Sequence, residues 1–293
     1  MNTILEDQKS ESALRALLAQ KNAYSKSKRI YWFETLIILN AIVATMVIPF
    51  YANYKEAVAI ISIFSAIIII VSTSYFGQQT KIGAGLQEIF DVNLYKIEWN
   101  KTLVGKKTSI NEQFFQTVDS KTDDIDQCWY SKSIIPTLPH EMAIILCLKC
   151  NSLFGIHQRK LYRNTLIIFL SAYYIISVIL CLILKLELYV FAIYLAPSVP
   201  FLNLMINKIK NHNDVYNRYK NIDEIIDDYT EKFKTTKFLP NKLDLRSIQD
   251  LIYLNRLIPV KIPNWFYSRF NKKTNQIVDD CIAAIVKEFN LNA

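Results

Sequence analysis

Histidine and glycine are scarce in this chain: three and five occur in 293 residues. So few histidines leave few side chains that titrate near neutral pH, and His140, His157 and His212 lie far apart in sequence. His140 follows Pro139 at a helix start, and the other two sit among basic residues, so all three read as capping or interfacial groups. GxSxG, HExxH, P-loop and GxGxxG patterns are all missing. Of the five cysteines, Cys147 and Cys150 form one C-x-x-C, but no second pair or suitably spaced histidine completes a zinc site. They read as small apolar residues packed in a helix. No catalytic group, metal centre or cofactor is expected, and the chain is not read as an enzyme. Strand-like alternation is also lacking over any useful length, which makes the fold class all-α.

Charge is missing where it matters most. Residues 35–51, 57–76, 165–184 and 188–206 contain no Lys, Arg or Asp. Each run is about 17–20 residues, close to the ~20 that cross ~30 Å of hydrocarbon as a helix. A soluble core helix would keep a polar face, and "AVAIISIFSAIIIIV" (57–71) has none. Four transmembrane helices follow, arranged as two hairpins with short loops. Pro49 lies near the end of the first, and Pro197 and Pro200 predict a kink in the fourth. The first run begins only after about thirty polar residues, so no signal peptide is expected.

Of the 34 Lys and Arg, only Lys55 and Lys185 fall in the two short loops, and none falls in a span. The positive-inside rule then puts residues 1–30, 78–164 and 208–293 in the cytoplasm, with both termini, and residues 31–77 and 165–207 in the membrane. Lys26, Lys28, Arg29, Lys81, Arg159, Lys160, Arg163, Lys208 and Lys210 flank the span ends. The net charge of +8 thus reads as a topology signal with attraction to anionic lipid heads. Binding of a nucleic-acid duplex explains it poorly, since no basic stripe stands apart from the membrane.

The chain reads as two similar halves: a polar helix leading in, two spans, and a polar helix leading out. Lead-in helices are expected over 3–29 and 140–162, lead-out helices over 78–103 and 207–234, so that stalks extend the spans into a cytoplasmic bundle. Asp119, Asp123, Asp124 and Asp126 form a solvated acidic patch between the halves. Further helices are expected over 244–257 and from the break "IPVKIPN" to about residue 289. In "IPNWFYSRFNKK", Phe266 and Phe270 share a face with Trp265, while Arg269, Lys272 and Lys273 point outward. That segment reads as a cap clamping the C-terminal helices onto the stalks.

Gly77, Gly83 and Gly85 follow the second span within nine residues. Glycine weakens a helix by about 1 kcal/mol relative to alanine, which suits a hinge; close helix packing is the alternative. Within the bilayer, Ser62, Ser65 and Ser72 mark one face of the second span, Ser171 and Ser177 the third, and Asn40 and Asn203 add amides. Such stripes line a water-filled path or pack helices together. Glu34 is the ionisable residue beside a span, expected within reach of water at the cytoplasmic end. The lack of any at mid-membrane argues against proton-driven transport.

Three stretches resemble the S-4TM family of pore-forming effectors from bacterial anti-phage and conflict systems. "LRALLAQKNAYSKSKR" is similar to its lead-in through Leu14, Gln20, Tyr24, Ser25 and Lys28. "LPHEMAIILCLKCNSLFGIHQRKLYR" resembles its helix before the third span through Leu138, Pro139, Cys147, Asn151, Arg159 and Tyr162. "IPNWFYSRF" is similar to a C-terminal "IPDWFY", with Asn264 replacing the acid. The resemblance implies a homo-oligomeric effector in the bacterial inner membrane that answers a cyclic nucleotide or oligonucleotide second messenger by permeabilising the bilayer. A nucleotide would need stacking aromatics beside cations, which makes Trp99, Trp129, Trp265 and Arg269 the ligand candidates. The competing reading is a scaffolding membrane protein whose cytoplasmic bundle recruits a partner.

Overall fold

The computed structural model describes residues 2–110 and 129–289. The acidic patch at Asp119, Asp123, Asp124 and Asp126, and the side chain of Ser72, lie outside the described residues. Every regular element among the described residues is helical. The fold class expected from the sequence is the one observed.

The lead-in of the first half is two helices rather than one: α1 (Ile4–Asp7) and α2 (Glu11–Ser27). Ser10 breaks them by turning extended and accepting from the Ala13 amide, the bond of an N-cap. A second interruption at Lys28–Arg29 separates α2 from α3 (Ile30–Ile42), the start of the first span. The span then loosens into a π-turn at Val43–Val47 and a 3-10 turn at Ile48–Phe50, where Pro49 cannot donate an amide. Thr45 and Tyr173 donate their hydroxyls to the Ala41 carbonyl just before the π-turn.

Helix α4 (Lys55–Tyr95) carries the second span and its stalk as one unbroken helix of 41 residues. It ends on Lys96 in the left-handed conformation, eight residues short of the expected boundary, so Trp99 falls in a loop before α5 (Lys101–Val104). In the second half, α6 (His140–Ile183) runs 44 residues without interruption from Pro139 through the third span. Then α7 (Leu188–Leu195), a 3-10 turn at Ala196–Ser198 and α8 (Val199–Thr236) make the fourth span and its stalk. The kink expected at Pro197 and Pro200 is this 3-10 turn. A reciprocal capping box between Asn241 and Asp244 starts α9 (Lys242–Leu257), and α10 (Asn264–Glu288) follows Pro263.

Stretches within Glu11–Phe50, His140–Ile183 and Leu188–Thr236 are long and apolar enough to cross a membrane, and Glu56–Ile68 in α4 is a shorter apolar helix. Their outer faces expose Ile63, Phe64, Ile70, Ile168 and Leu182, the surface that lipid solvates. At the polar end, Met142 through Leu148 are buried on every side, which makes α6 the central post of the bundle. Where the stalks meet the spans, Ile37, Tyr162, Phe201 and Phe266 form a second core. Phe266 packs edge-on against Tyr162 at 4.9 Å, so the C-terminal segment does clamp onto the stalks. Trp265 is a correction: it is 66% exposed and turned away from that core.

Glu34 is a second correction. Instead of meeting water it is buried and paired with Lys208, itself counted from sequence as a topology marker. Each charge, taken out of water, is compensated by the other, and together they join the first span to the fourth.

Candidate functional site

Two sizeable cavities differ in chemistry. One of about 730 Å³ lies among the spans, lined by apolar side chains such as Ile48, Val58, Ile193 and Pro197. The other, about 630 Å³, opens in the polar bundle between α2, α6, α9, α10 and the 258–263 loop. Its walls mix aromatic rings, amides, cations and the carboxylate of Asp279, the composition of a site for a polar ligand.

Five cations line this cavity: besides Lys132 and Arg256, which is paired with Asp91, Lys28 enters from the α2–α3 joint, Arg159 from α6 and Lys261 from the loop. Helix periodicity puts Asn151, Gly155 and Arg159 on one face of α6, four residues apart. Lys261 Nζ lies 4.5 Å from the Tyr24 ring centre and Lys28 Nζ 5.6 Å from that of Tyr267. Neutral acceptors take their hydrogen bonds. Lys28 donates to Asn264 Oδ1 at 2.6 Å and Lys261 to the Arg256 carbonyl at 3.2 Å. Arg159 Nη1 donates to the Val260 carbonyl at 2.8 Å and to His212 Nδ1 at 3.0 Å.

Carboxylates compensate the buried cations elsewhere, whereas Lys28, Arg159 and Lys261 are half-buried. Lys149 meets Asp223 and Asp227, Lys208 meets Glu34, Arg246 meets Glu88 and Asp250, and Arg256 meets Asp91. Among the described residues no carboxylate forms an ion pair with Lys28, Arg159 or Lys261. Burial, then the charge of Arg159, holds the Lys28 ammonium down to about 8. Burial and the charges of Arg159, Lys28 and Arg256 push Lys261 well below the ordinary lysine range. Burial lowers Arg159 as well. The buried His212 accepts from Arg159 at Nδ1, so it is neutral with its proton on Nε2; burial, then the charges of Arg159, Lys208 and Lys261, hold it well below the usual histidine range. The hydrogen bonds of Lys28, Arg159 and Lys261 go to neutral acceptors, and Asp279, the one carboxylate among the described lining residues, forms no ion pair with any of the three. A bound anion would offset the positive charge that remains.

Of the ligand candidates read from sequence, only Trp129 reaches this cavity, its ring set perpendicular to Phe90 at 6.3 Å. Trp99 packs against the core elsewhere and donates from Nε1 to the Gly105 carbonyl at 2.9 Å. Trp265 and Arg269 lie on the outer face of α10. The structure does not bring these four together. Lys28 and Arg159 were visible in the sequence as flanking charges and as positions of the family resemblance, whereas Lys261 carried no signal of its own. Its charge matters only because the loop folds back onto α2.

Gly77, Gly83 and Gly85 lie inside the unbroken α4. A Cβ at Gly83 would stand 2.7 Å from the Tyr24 ring, and one at Gly85 would stand 3.1 Å from Ile110, so both sit at close approaches. The polar residues of the spans do not form one stripe. Ser62 is buried and accepts from Asn40, Ser177 is buried and donates to the Tyr173 carbonyl, and Ser65 is half-buried. Ser171 and Asn203 are exposed on outer faces, Asn203 accepting from Asn207 at 3.0 Å. Among the described residues no cluster of His, Cys, Asp or Glu is placed to hold a metal.

Comparison with known proteins points one way. A probable CBASS effector molecule of Bacillus cereus (strain VD146) is 21% identical over 300 residues, spanning 98% of this chain and 100% of that protein. No solved structure matches. The family model described as the SMODS-associating 4TM effector domain matches residues 2–284, and the chain belongs to that family.

Proposed function

We propose that this chain is the membrane effector of a bacterial anti-phage defence system, switched on by a nucleotide second messenger that binds in the polar cavity. It sits in the inner membrane with both termini and residues 1–30, 78–164 and 208–293 in the cytoplasm, the side favoured by its basic residues. The hairpins of residues 31–77 and 165–207 cross the bilayer. Four helices enclose too little space for a wide pore, so permeabilisation requires several copies, by a shared pore or by clustering that strains the bilayer.

The uncompensated trio of Lys28, Arg159 and Lys261 carries this reading. A nucleotide offers what the cavity lacks: phosphate for the cations and a flat base for Trp129 and the tyrosines. The kinship to a CBASS effector supplies the biological setting. The test is co-expression with an active nucleotide cyclase while a potential-sensitive dye reports on the membrane. Loss of potential is expected with the wild type and not with Arg159→Ala. Intact potential in cells holding folded effector and its nucleotide signal sinks the proposal.

A further inference from the structure

Lys28, Arg159 and Lys261 stand on elements that lead to different spans. Lys28 lies at the interruption between α2 and α3, at the foot of the first span. Arg159 is on α6, which continues without a break into the third. Through Nη1 it also grips His212 on α8, the stalk of the fourth, and both its hydrogen bonds use that nitrogen. Nη2 and Nε therefore stay available to an anion, the paired geometry that suits a phosphate. Lys261 is in the loop to which the first span is tied, because Tyr31 donates to its carbonyl, and Lys28 adds a bond to Asn264 at the start of α10. Without a ligand these like charges repel across the cavity, and the neutral partners of each do nothing to oppose it.

We propose that Lys28, Arg159 and Lys261 form an anion-operated clamp, in which a ligand with two or more phosphates draws the three elements together and turns the first span about the Lys28–Arg29 joint against the stalks of the third and fourth. This rests on reading the cavity as the nucleotide site, and it names the ligand class and the route to the membrane. A single phosphate answers one or two of the charges and leaves the rest repelling. A polyphosphate or a nucleotide with two phosphodiesters answers all of them. The joint gives way because α2 already ends there, while α6 on the other side is continuous.

A carboxylate built into the clamp should replace the ligand. Lys28→Glu, in full-length protein reconstituted in liposomes without nucleotide, is expected to leak an entrapped dye several-fold faster than wild type. Lys28→Gln removes the charge without supplying an anion, so it stays closed and fails to respond. A folded Lys28→Glu as silent as Lys28→Gln overturns the clamp. Lys261→Glu gives the same comparison from the loop side should the first variant misfold. Inorganic pyrophosphate should also bind wild type about tenfold tighter than orthophosphate, a ratio set by the second charge. Equal affinities overturn the proposal whatever the variants do. The two readings separate cleanly. If cyclase co-expression leaves wild-type membranes intact while Lys28→Glu leaks, the nucleotide reading falls and the clamp stands. If the cyclase opens wild type while both glutamate variants stay silent, the clamp falls and the nucleotide reading stands.

Discussion

The two halves of the molecule share a plan and differ in where the chain is interrupted. In the second half, α6 runs 44 residues from the polar bundle through the membrane. The first half is jointed before its first span at Lys28–Arg29, then loosened inside it at Val43–Val47 and Ile48–Phe50. A tyrosine–glycine contact recurs in both, with the partners exchanged. In the first half Tyr24 of the lead-in lies on Gly83 of the lead-out, and in the second Tyr219 of the lead-out lies on Gly155 of the lead-in. The second half is a post, buried all round at Met142–Leu148, and the first is a lever laid against it. Equivalent changes in the two halves should therefore have unequal consequences.

The strongest way to separate the halves is to cut the ion pair between them. Glu34 on α3 and Lys208 on α8 are both buried, so Glu34→Ala leaves an uncompensated ammonium. The expected loss is about 3–5 kcal/mol, read as a lowered melting transition in detergent. The double variant with Lys208→Met should recover most of it, because the orphaned charge goes too. A single variant that melts with the wild type would mean that this pair adds nothing to the hold between the halves.

Next in size is the exchanged contact. A Cβ at Gly155 would stand 2.5 Å from the Tyr219 ring, against 2.7 Å for Gly83 and Tyr24. Overpacking of this kind costs about 1–3 kcal/mol when neighbours cannot shift. Gly155→Ala should fall at the upper end, since both helices of that pair are long and continuous. Gly83→Ala should cost less, because α2 is a helix of 17 residues that ends at the Lys28–Arg29 interruption and so has less packing to hold it against a shift. Equal melting shifts would remove the distinction between post and lever.

Lys28, at that joint, adds a dependence on pH. Its folded value of about 8 lies below the ~10.4 of an unfolded lysine, so the unfolded chain holds more protons between those values. Stability of the unliganded protein should rise as pH climbs through that window. Anion binding needs the protonated form, so affinity for pyrophosphate should fall over the same window, by about tenfold per pH unit at most. Calorimetry in buffers of different ionisation heat would show proton uptake on binding. Lys28→Gln should abolish this uptake while leaving any contribution from Lys261. An affinity that rises above pH 8 contradicts the assignment.

Much of the architecture was legible because hydrocarbon thickness imposes length and apolarity on whole segments. The continuity of α6 could be read from its lack of glycine and proline breaks, apart from Gly155, and the clamp of Phe266 from its spacing to Phe270. The π-turn was not legible, since it depends on hydroxyls of Thr45 and Tyr173 meeting one carbonyl from two helices. The burial of Glu34 was hidden for the same reason: its partner lies 174 residues away. The site was the least visible part. Tryptophans drew attention as flat surfaces, yet three of the four nominated residues lie outside the cavity, and its cations had the spacing of topology markers. What distinguishes Lys28, Arg159 and Lys261 is that none is paired with a carboxylate among the described residues, a property of the folded neighbourhood and not of any local pattern.

The smallest expected difference lies inside the membrane. In the first hairpin, Asn40 of α3 donates to Ser62 of α4, a bond between spans. In the second, Ser177 donates to the Tyr173 carbonyl within its own helix. Removing an interhelical hydrogen bond in a membrane costs about 0.6 kcal/mol on average and up to about 1.7. Ser62→Ala should fall in that range because it leaves the Asn40 amide without its acceptor, whereas Ser177→Ala removes a bond its helix does not need and should be near neutral. The loosened first span depends on cross-helix bonds where the continuous third span does not. Matched melting shifts for the two alanines would show that the π-turn leaves the first span as self-sufficient as the third, and the lever would then have to bend at Lys28–Arg29 alone.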